Sequence, residues 1–376
     1  MIDTIVLTLS RAMFTIITPR RFRPSADWIM VENISGGFRS IQNPTKKELF
    51  SGIYKPRLTL SIRPNVRGTC EPLLRIELSL PKLLFGNNFA ELQLKDFPLL
   101  AQRLVDVLLE MGVETSVLLL AQAPVAAVHY SKNIALIDGS TPYHYIQKIK
   151  EANISLSLDS NQTDYRNDGY SFKWHANTYE VAFYDKIKDL EKSKVSEKRT
   201  LEKDNALQLL LLGVLHKRKK LEILRMEVRL NTRKKIKQLF QKLSIKADLT
   251  FKKLFKPAIS KKILLYYLNE IASKRPLLLD YKASDVALLA DLMFNNPTLS
   301  PKQILQFYGL KHALTVAGTR GLRTMLAQHH KRSWYRLMAD AAKIVLPVVH
   351  DPLQDLKEHL ITFKPLKTDS YKKIIV

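Results

Sequence analysis

The chain predicts an α+β protein: an antiparallel-sheet unit with flanking helices over residues 1–245, followed by a mostly α-helical unit over 246–376. Three observations carry that expectation. Up to about residue 90, apolar and polar residues alternate with the period of a half-buried strand, in segments such as TLSIR (59–63) and LLRIELSL (73–80), bounded by SGG, NPT and RPNVRG. The segment LEILRMEVRL (221–230) repeats that alternation. Beyond about residue 235 the apolar period becomes helical, and the composition shifts with it.

Taken in order, MIDTIVLTLS alternates as a strand does, and Asp3 stands where an export signal would carry positive charge. After the strand LLRIELSL, the residues Phe89, Leu92, Leu99, Leu100, Leu104, Val107, Leu108 and Met111 keep a helical spacing. Pro98 suits a first helical turn, and Gly112 the position just past a helix end. APVAAVHYSKNIAL (123–136) is strand-like; Thr141 and Pro142 then open a short helix over 141–153. The polar run LDSNQTDYRNDGYS (158–171) reads as a loop. TYEVAFYDKIKDL (178–190) reads as a strand, with a charged helix following from about Lys188 to His216. In 221–230, Leu224, Met226, Val228 and Leu230 point one way and Ile223, Arg225, Glu227 and Arg229 the other. Further helices are expected in KKILLYYLNEIA (261–272), SDVALLADLMF (284–294) and SPKQILQFYG (300–309). Residues 299–326 suggest two short helices around Gly309; as a helix-turn-helix they would offer Arg320 and Arg323 to DNA, and an ordinary helical hairpin accounts for the same pattern.

Charge narrows the function. The 376 residues hold 60 Lys+Arg against 35 Asp+Glu, a formal net charge of +25 that repels itself unless a polyanion neutralises it. Between Lys192 and Arg275 there are 24 basic residues against seven acidic ones, including Lys217, Arg218, Lys219, Lys220, Arg233, Lys234 and Lys235. Nucleic acid is the partner such a segment fits. The densest apolar run, LQLLLLGVL (207–215), is far short of the roughly 20 residues that a bilayer span needs, so no membrane role is expected. A single cysteine, Cys70, excludes an internal disulfide framework and a cysteine-based zinc site, and a reducing cytoplasm is the simplest setting.

Three strands carry ionisable side chains on their polar faces: Arg75 and Glu77; Glu180, Tyr184 and Lys186; and Arg225, Glu227 and Arg229. Joined in one sheet, they would form a platform suited to phosphoryl transfer. Carboxylates can hold Mg²⁺ or Mn²⁺, arginines can hold phosphates, and a phenol can attack phosphorus. A tyrosine has an ordinary pKa near 10 and needs a neighbouring cation or metal to act at neutral pH, which Lys186 could supply. The same residues also suit plain cross-strand ion pairs. His129 fits a hydrogen-bonded core histidine as well as a ligand; His329 and His330 fit a basic surface, and Asp164, Asp168 and His175 fit loops and turns.

The segments MIDTIVLTL, LLRIELSLPKLLFGNNF, AAVHYSKNIAL, TYEVAFYDKIKDLEK and LEILRMEVRLNTR occur in an order and spacing that resembles the rolling-circle replication initiators of filamentous phages and related plasmids, the gene II/X type. RSWYRLMADA (332–341) is similar to a late segment of that family, so the resemblance spans nearly the whole chain. It implies a site-specific nickase that cuts one strand of replication-origin DNA, stays joined to the 5′ phosphate through a tyrosine and later rejoins the strand, working with a host helicase or polymerase. Tyr184 matches the nucleophile position, with Lys186 beside it. Glu227 and Glu77 match recurrent carboxylates, and His129 lies on the strand that supplies a metal ligand in related initiators. Arg75, Arg225 and Arg229 join the basic segments as DNA-binding residues. The chain departs from the wider nicking superfamily in lacking any His-hydrophobe-His pair and in spacing tyrosine and lysine as Y-x-K. Tyr179 and Tyr130 stand as other candidates for the nucleophile. A plasmid-mobilisation relaxase and a non-catalytic basic DNA- or RNA-binding protein are the alternative readings.

Overall fold

The computed structural model describes residues 1–30, 37–45, 47–48, 51–64, 70–137, 139–152, 159–166, 170–193, 222–281, 283–347 and 353–366. Its strands are β1 (Ile2–Ser10), β2 (Thr15–Ile16), β3 (Arg39–Gln42), β4 (Arg57–Pro64), β5 (Cys70–Ser79), β6 (Val113–Glu114), β7 (Val125–Leu136), β8 (Asp159–Arg166), β9 (Ser171–Ala176), β10 (Tyr179–Asp185) and β11 (Glu222–Leu230). Nine of them form one sheet in the order β3-β4-β5-β1-β7-β11-β10-β9-β8, and β2 pairs with β6. Every ladder is antiparallel. The fold class is therefore the expected α+β, with the three polar-faced strands in a single sheet.

Alternation sends one face of that sheet into the core. Ile5, Leu7, Leu74, Ile76, Val128, Val181, Phe183, Leu224, Met226 and Val228 are buried there with apolar residues of the covering helices. Those helices are Phe97–Glu110, Pro142–Lys150, Arg233–Lys242, Pro257–Ala272 and Gln354–Thr362. They contribute Leu100, Leu104, Ile146, Ile149, Ile236, Leu239, Ile263, Leu264, Leu356 and Leu360. Each such side chain is worth roughly 1.5–3 kcal/mol when fully buried, so helix packing outweighs local propensity. Local signals set the helix ends: Thr141 Oγ1 accepts from His144 N–H at 3.3 Å, and Pro142 takes the first position. Gly112 ends Phe97–Glu110 with φ 81°, and a Cβ there would lie 2.6 Å from Thr18 Cβ.

The apolar cores divide the chain later than its composition does. Phe251–Ile271 and Leu353–Leu360 belong to the sheet's core, while a second core runs from Leu278 to Ile344 around Leu288, Leu292, Phe307, Leu314 and Trp334. A composition shift near 245 marks where strands stop, not where the helices covering them stop. Arg275 joins the two parts: its guanidinium donates to both Asp280 carboxylate oxygens at 2.8 and 2.6 Å and to Lys148 O at 2.9 Å.

Two local expectations need correcting. Residues 159–166 form β8 and not a loop, because an edge strand needs only one backbone ladder, here with β9, and no apolar alternation. Gly309 does not separate two helices: the helix that starts at Pro301 runs through it, and the break within Pro301–His329 comes at Gly318 (φ 67°, ψ 165°). Burial of Ile304, Phe307, Leu310 and Leu314 in the second core overrides the roughly 1 kcal/mol that a mid-helix glycine costs. The two helices of this segment therefore meet at Gly318, nine residues later than expected, and the Arg320 side chain is outside the described residues. The charged helix is described over Lys186–Ser193; its remainder to His216, together with Lys217, Arg218, Lys219 and Lys220, lies outside them.

Candidate active site

On the face away from the core, three cross-strand rows meet at β11. Arg225 stands between Tyr184 on β10 and Asn133 on β7; Glu227 stands between Ala182 and Ser131; Arg229 stands between Glu180 and His129. Ala182 is the small member opposite Glu227. Its missing bulk lets neighbours from the adjoining rows reach the carboxylate: Tyr184 donates its hydroxyl to Glu227 Oε2 at 3.1 Å, and Arg229 donates Nε and Nη2 to Oε1 and Oε2, each at 3.1 Å. Arg229 Nη1 also pairs with Glu180 Oε1 at 3.0 Å, and His129 Nδ1 lies 3.6 Å from Glu227 Oε1.

Arg225 is only 1% exposed, and buried partners must satisfy it. Its Nη2 pairs with Asp3 Oδ1 at 2.7 Å and donates to Ser131 Oγ at 3.1 Å; its Nη1 donates to Asn88 O at 3.0 Å and Asn133 Oδ1 at 3.3 Å. Asn87 positions that carbonyl, since its Oδ1 accepts from Phe89 and Ala90 N–H at 3.1 and 3.0 Å and curls the segment over the sheet. Asp3 is a member that sequence reasoning missed. Strict alternation puts it on the core side with Ile5, but the β1–β7 register shifts between Ile2 and Thr4, and such an irregularity re-aims a side chain. A lone acid among apolar residues was the available signal.

The electrostatics follow from burial under arginines. Burial alone would raise Glu227, but the guanidinium groups of Arg229 and Arg225 outweigh it and hold the carboxyl well below the usual range. Asp3 is lowered likewise, burial being outweighed by Arg225. Burial, with Glu227 and Asp189 acting in the same sense, pushes the Tyr184 phenol well above 10, against Arg225 and Arg229. Burial also lowers His129, so that its ring is neutral at pH 7. Lys186 falls to about 8 through burial and the neighbouring Arg225 charge. Its Nζ lies 5.5 Å from the Phe89 ring centroid, and the cations acting on the Tyr184 phenol are the two arginines.

The remaining expected residues sit elsewhere. Arg75 and Glu77 are exposed on β5; β1 and β7 intervene between them and β11, and the row of Glu77 crosses β7 at Ala127, four residues from the Ser131 opposite Glu227, so the two carboxylates are roughly 20 Å apart. Glu77, His129 and Glu227 are thus not one ligand set. Arg233 and Lys234 are exposed at the start of Arg233–Lys242, and Lys235 lies over the Tyr179 ring at 3.8 Å. Tyr130 and Tyr179 face the core, away from the cluster. A hard divalent cation needs carboxylate oxygens free to bind it. Here Glu227 and Glu180 are held by Arg229 and Asp3 by Arg225, and no group of three His, Cys, Asp or Glu among the described residues is placed to hold a metal ion. The residues as arranged do not fit Mg²⁺ or Mn²⁺.

The cluster opens at one end. Arg229, His129 and Lys173 have side chains 28, 22 and 25% exposed, whereas Arg225 and Glu227 are 2 and 3%. An anion therefore meets Arg229 and His129 before Tyr184. No helix among the described residues is long and apolar enough to cross a membrane. No family model, curated protein or solved structure matches the chain.

Proposed function

We propose that the protein nicks and rejoins one strand of replication-origin DNA through a covalent link between Tyr184 and the 5′ phosphate, as a rolling-circle initiator does. The observation that carries this reading is a phenol hydrogen-bonded to an ionised carboxylate at 3.1 Å between two guanidinium groups. In the reaction, the Tyr184 oxygen attacks phosphorus, its proton passes to Glu227, the bond from phosphorus to the 3′ oxygen breaks, and that oxygen takes a proton from water. A carboxylate held this far below its usual range is a weak base. A phosphate that draws Arg229 towards itself loosens Arg229 from Glu227, and basicity rises as the substrate arrives. Arg225 and Arg229 then offset the charge that develops on the phosphoryl oxygens. The phosphotyrosine ester retains the energy of the broken bond, so rejoining needs no nucleotide.

The test is supercoiled plasmid bearing the chain's own origin, incubated with the protein in buffer containing Mg²⁺ or Mn²⁺. Open circles with protein at the 5′ end are expected, and Tyr184→Phe, which keeps the ring and removes the nucleophile, abolishes them. Equal nicking by that variant ends the assignment. Near-complete burial of Arg225 and Glu227 favours a second reading, a non-catalytic nucleic-acid-binding protein whose cluster is purely structural. Binding by both proteins and nicking by neither selects it.

A further inference from the structure

On the other face of β10 from Tyr184, a cavity of about 150 Å³ lies between that strand, the helix Arg233–Lys242 and the helix Pro257–Ala272. Tyr179, Tyr266, Tyr267, Lys235, Lys242 and Glu270 line it beside the apolar Val181, Leu239 and Ile271. The tyrosines form a bent aromatic wall: ring centroids of Tyr179 and Tyr267 are 5.6 Å apart at 34°, and those of Tyr266 and Tyr267 are 5.0 Å apart at 72°. Lys235 Nζ is 3.8 Å from the Tyr179 centroid; Lys242 Nζ is 4.8 Å from the Tyr266 centroid and donates to its hydroxyl at 2.6 Å. Glu270 is the one acid in the lining, and it is paired with Lys274 at 3.7 Å.

A cavity of this volume holds a single six-membered ring. Aromatic side chains beside a cationic track are what single-strand binders use, because every base has a stacking face and every nucleotide a phosphate. Arg233, Lys234 and Lys237 are exposed on the helix that carries Lys235 and Lys242, and they extend the positive surface. We propose that this pocket takes one unstacked base of single-stranded nucleic acid, with the adjoining phosphate on Lys235 and Lys242. The inference rests on the nucleic-acid reading above and adds a single-strand subsite to it. Tyr179 and Tyr184 are five residues apart on one strand, roughly 17 Å. A strand leaving Tyr184 past the exposed Arg229 end reaches the pocket around the turn at Thr178.

Binding is measured on the Tyr184→Phe background, where cleavage through that residue cannot blur it, using fluorescence anisotropy with an oligothymidylate of about ten nucleotides. Tyr266→Ala is expected to weaken binding on the order of ten-fold, as loss of one stacking partner does. Lys242→Ala, at an exposed position where folding is not at stake, should lower the log–log salt slope by about one. Photocrosslinking of the same oligonucleotide carrying 5-iododeoxyuridine should label a peptide containing Tyr266 and Tyr267. Unchanged affinity and slope in both variants, with crosslinks elsewhere, overturn the pocket and leave the nicking result standing. Saturation by thymidine monophosphate without oligonucleotide binding overturns the single-strand assignment in favour of a free-nucleotide site.

Discussion

Arg75 and Glu77 on β5 have the same spacing and face the same side of the same sheet as Arg225 and Glu227 on β11, yet the two pairs live in different solvents. On β5 both side chains are exposed, beside Thr8 and Val6 of β1 and Thr59 and Arg57 of β4. On β11 both are buried, between Ser131 and Asn133 on one side and Ala182 and Tyr184 on the other, with Asn88 folded over them. A charge pair in water is screened and contributes little, whereas the buried one must be matched atom by atom. Which strand is central, and what covers it, separates a surface pair from a candidate site.

The largest expected effect is on stability. Arg225→Ala leaves Asp3 buried without its cation, a loss of about 3–5 kcal/mol, while Arg75→Ala changes stability by no more than about 0.5 kcal/mol. Urea midpoints at pH 7 measure both, and equal shifts would break the comparison. A pH titration sharpens it. Glu227 and Asp3 have folded pKa values below their ordinary 4.5 and 3.8, so the stability they contribute is fully present above those values and is lost as pH falls through and below them. Unfolding free energy should therefore drop from about pH 4.5 downward, by up to about 1.4 kcal/mol per pH unit for each group. Glu227→Gln should flatten the acid limb.

Next comes Ala182→Leu, which restores bulk opposite Glu227. It is expected to cost about 1–3 kcal/mol by overpacking and to displace the Tyr184 hydroxyl, so that nicking falls further than stability does. Parallel losses in the two measurements would mean that the alanine serves packing alone.

What was legible in the sequence follows from what alternation encodes. It gave the faces of β5, β10 and β11 correctly, since the side-chain period of a strand is two whatever the strand packs against. Tyr184, Arg225, Glu227 and Arg229 therefore appear together on one face in both the pattern and the structure, and the β7 register adds His129 to them. Alternation is silent on strand order, and it could not tell that two strands stand between Glu77 and β11. Nor does it survive a register shift, which is why Asp3 escaped notice. Lys186 shows a third limit: it begins a helix, where a period of two no longer decides its neighbours. β8 was misread because its polar composition resembles a loop, although an edge strand tolerates that composition.

The smallest expected effect is the most pointed test of strand order. Glu77→Gln removes an exposed charge three strands from Glu227, and it should change stability by less than about 0.5 kcal/mol and nicking not at all. Glu227→Gln, by contrast, keeps the size of its side chain and deprives Tyr184 of a proton acceptor, so nicking should be lost while the protein still folds. Comparable loss from both would mean that Glu77 acts at the reacting phosphate and that substrate spans β5 to β11 across the exposed face. The roughly 20 Å between them would then be the footprint of the DNA, and the distinction between a surface pair and a site would fail.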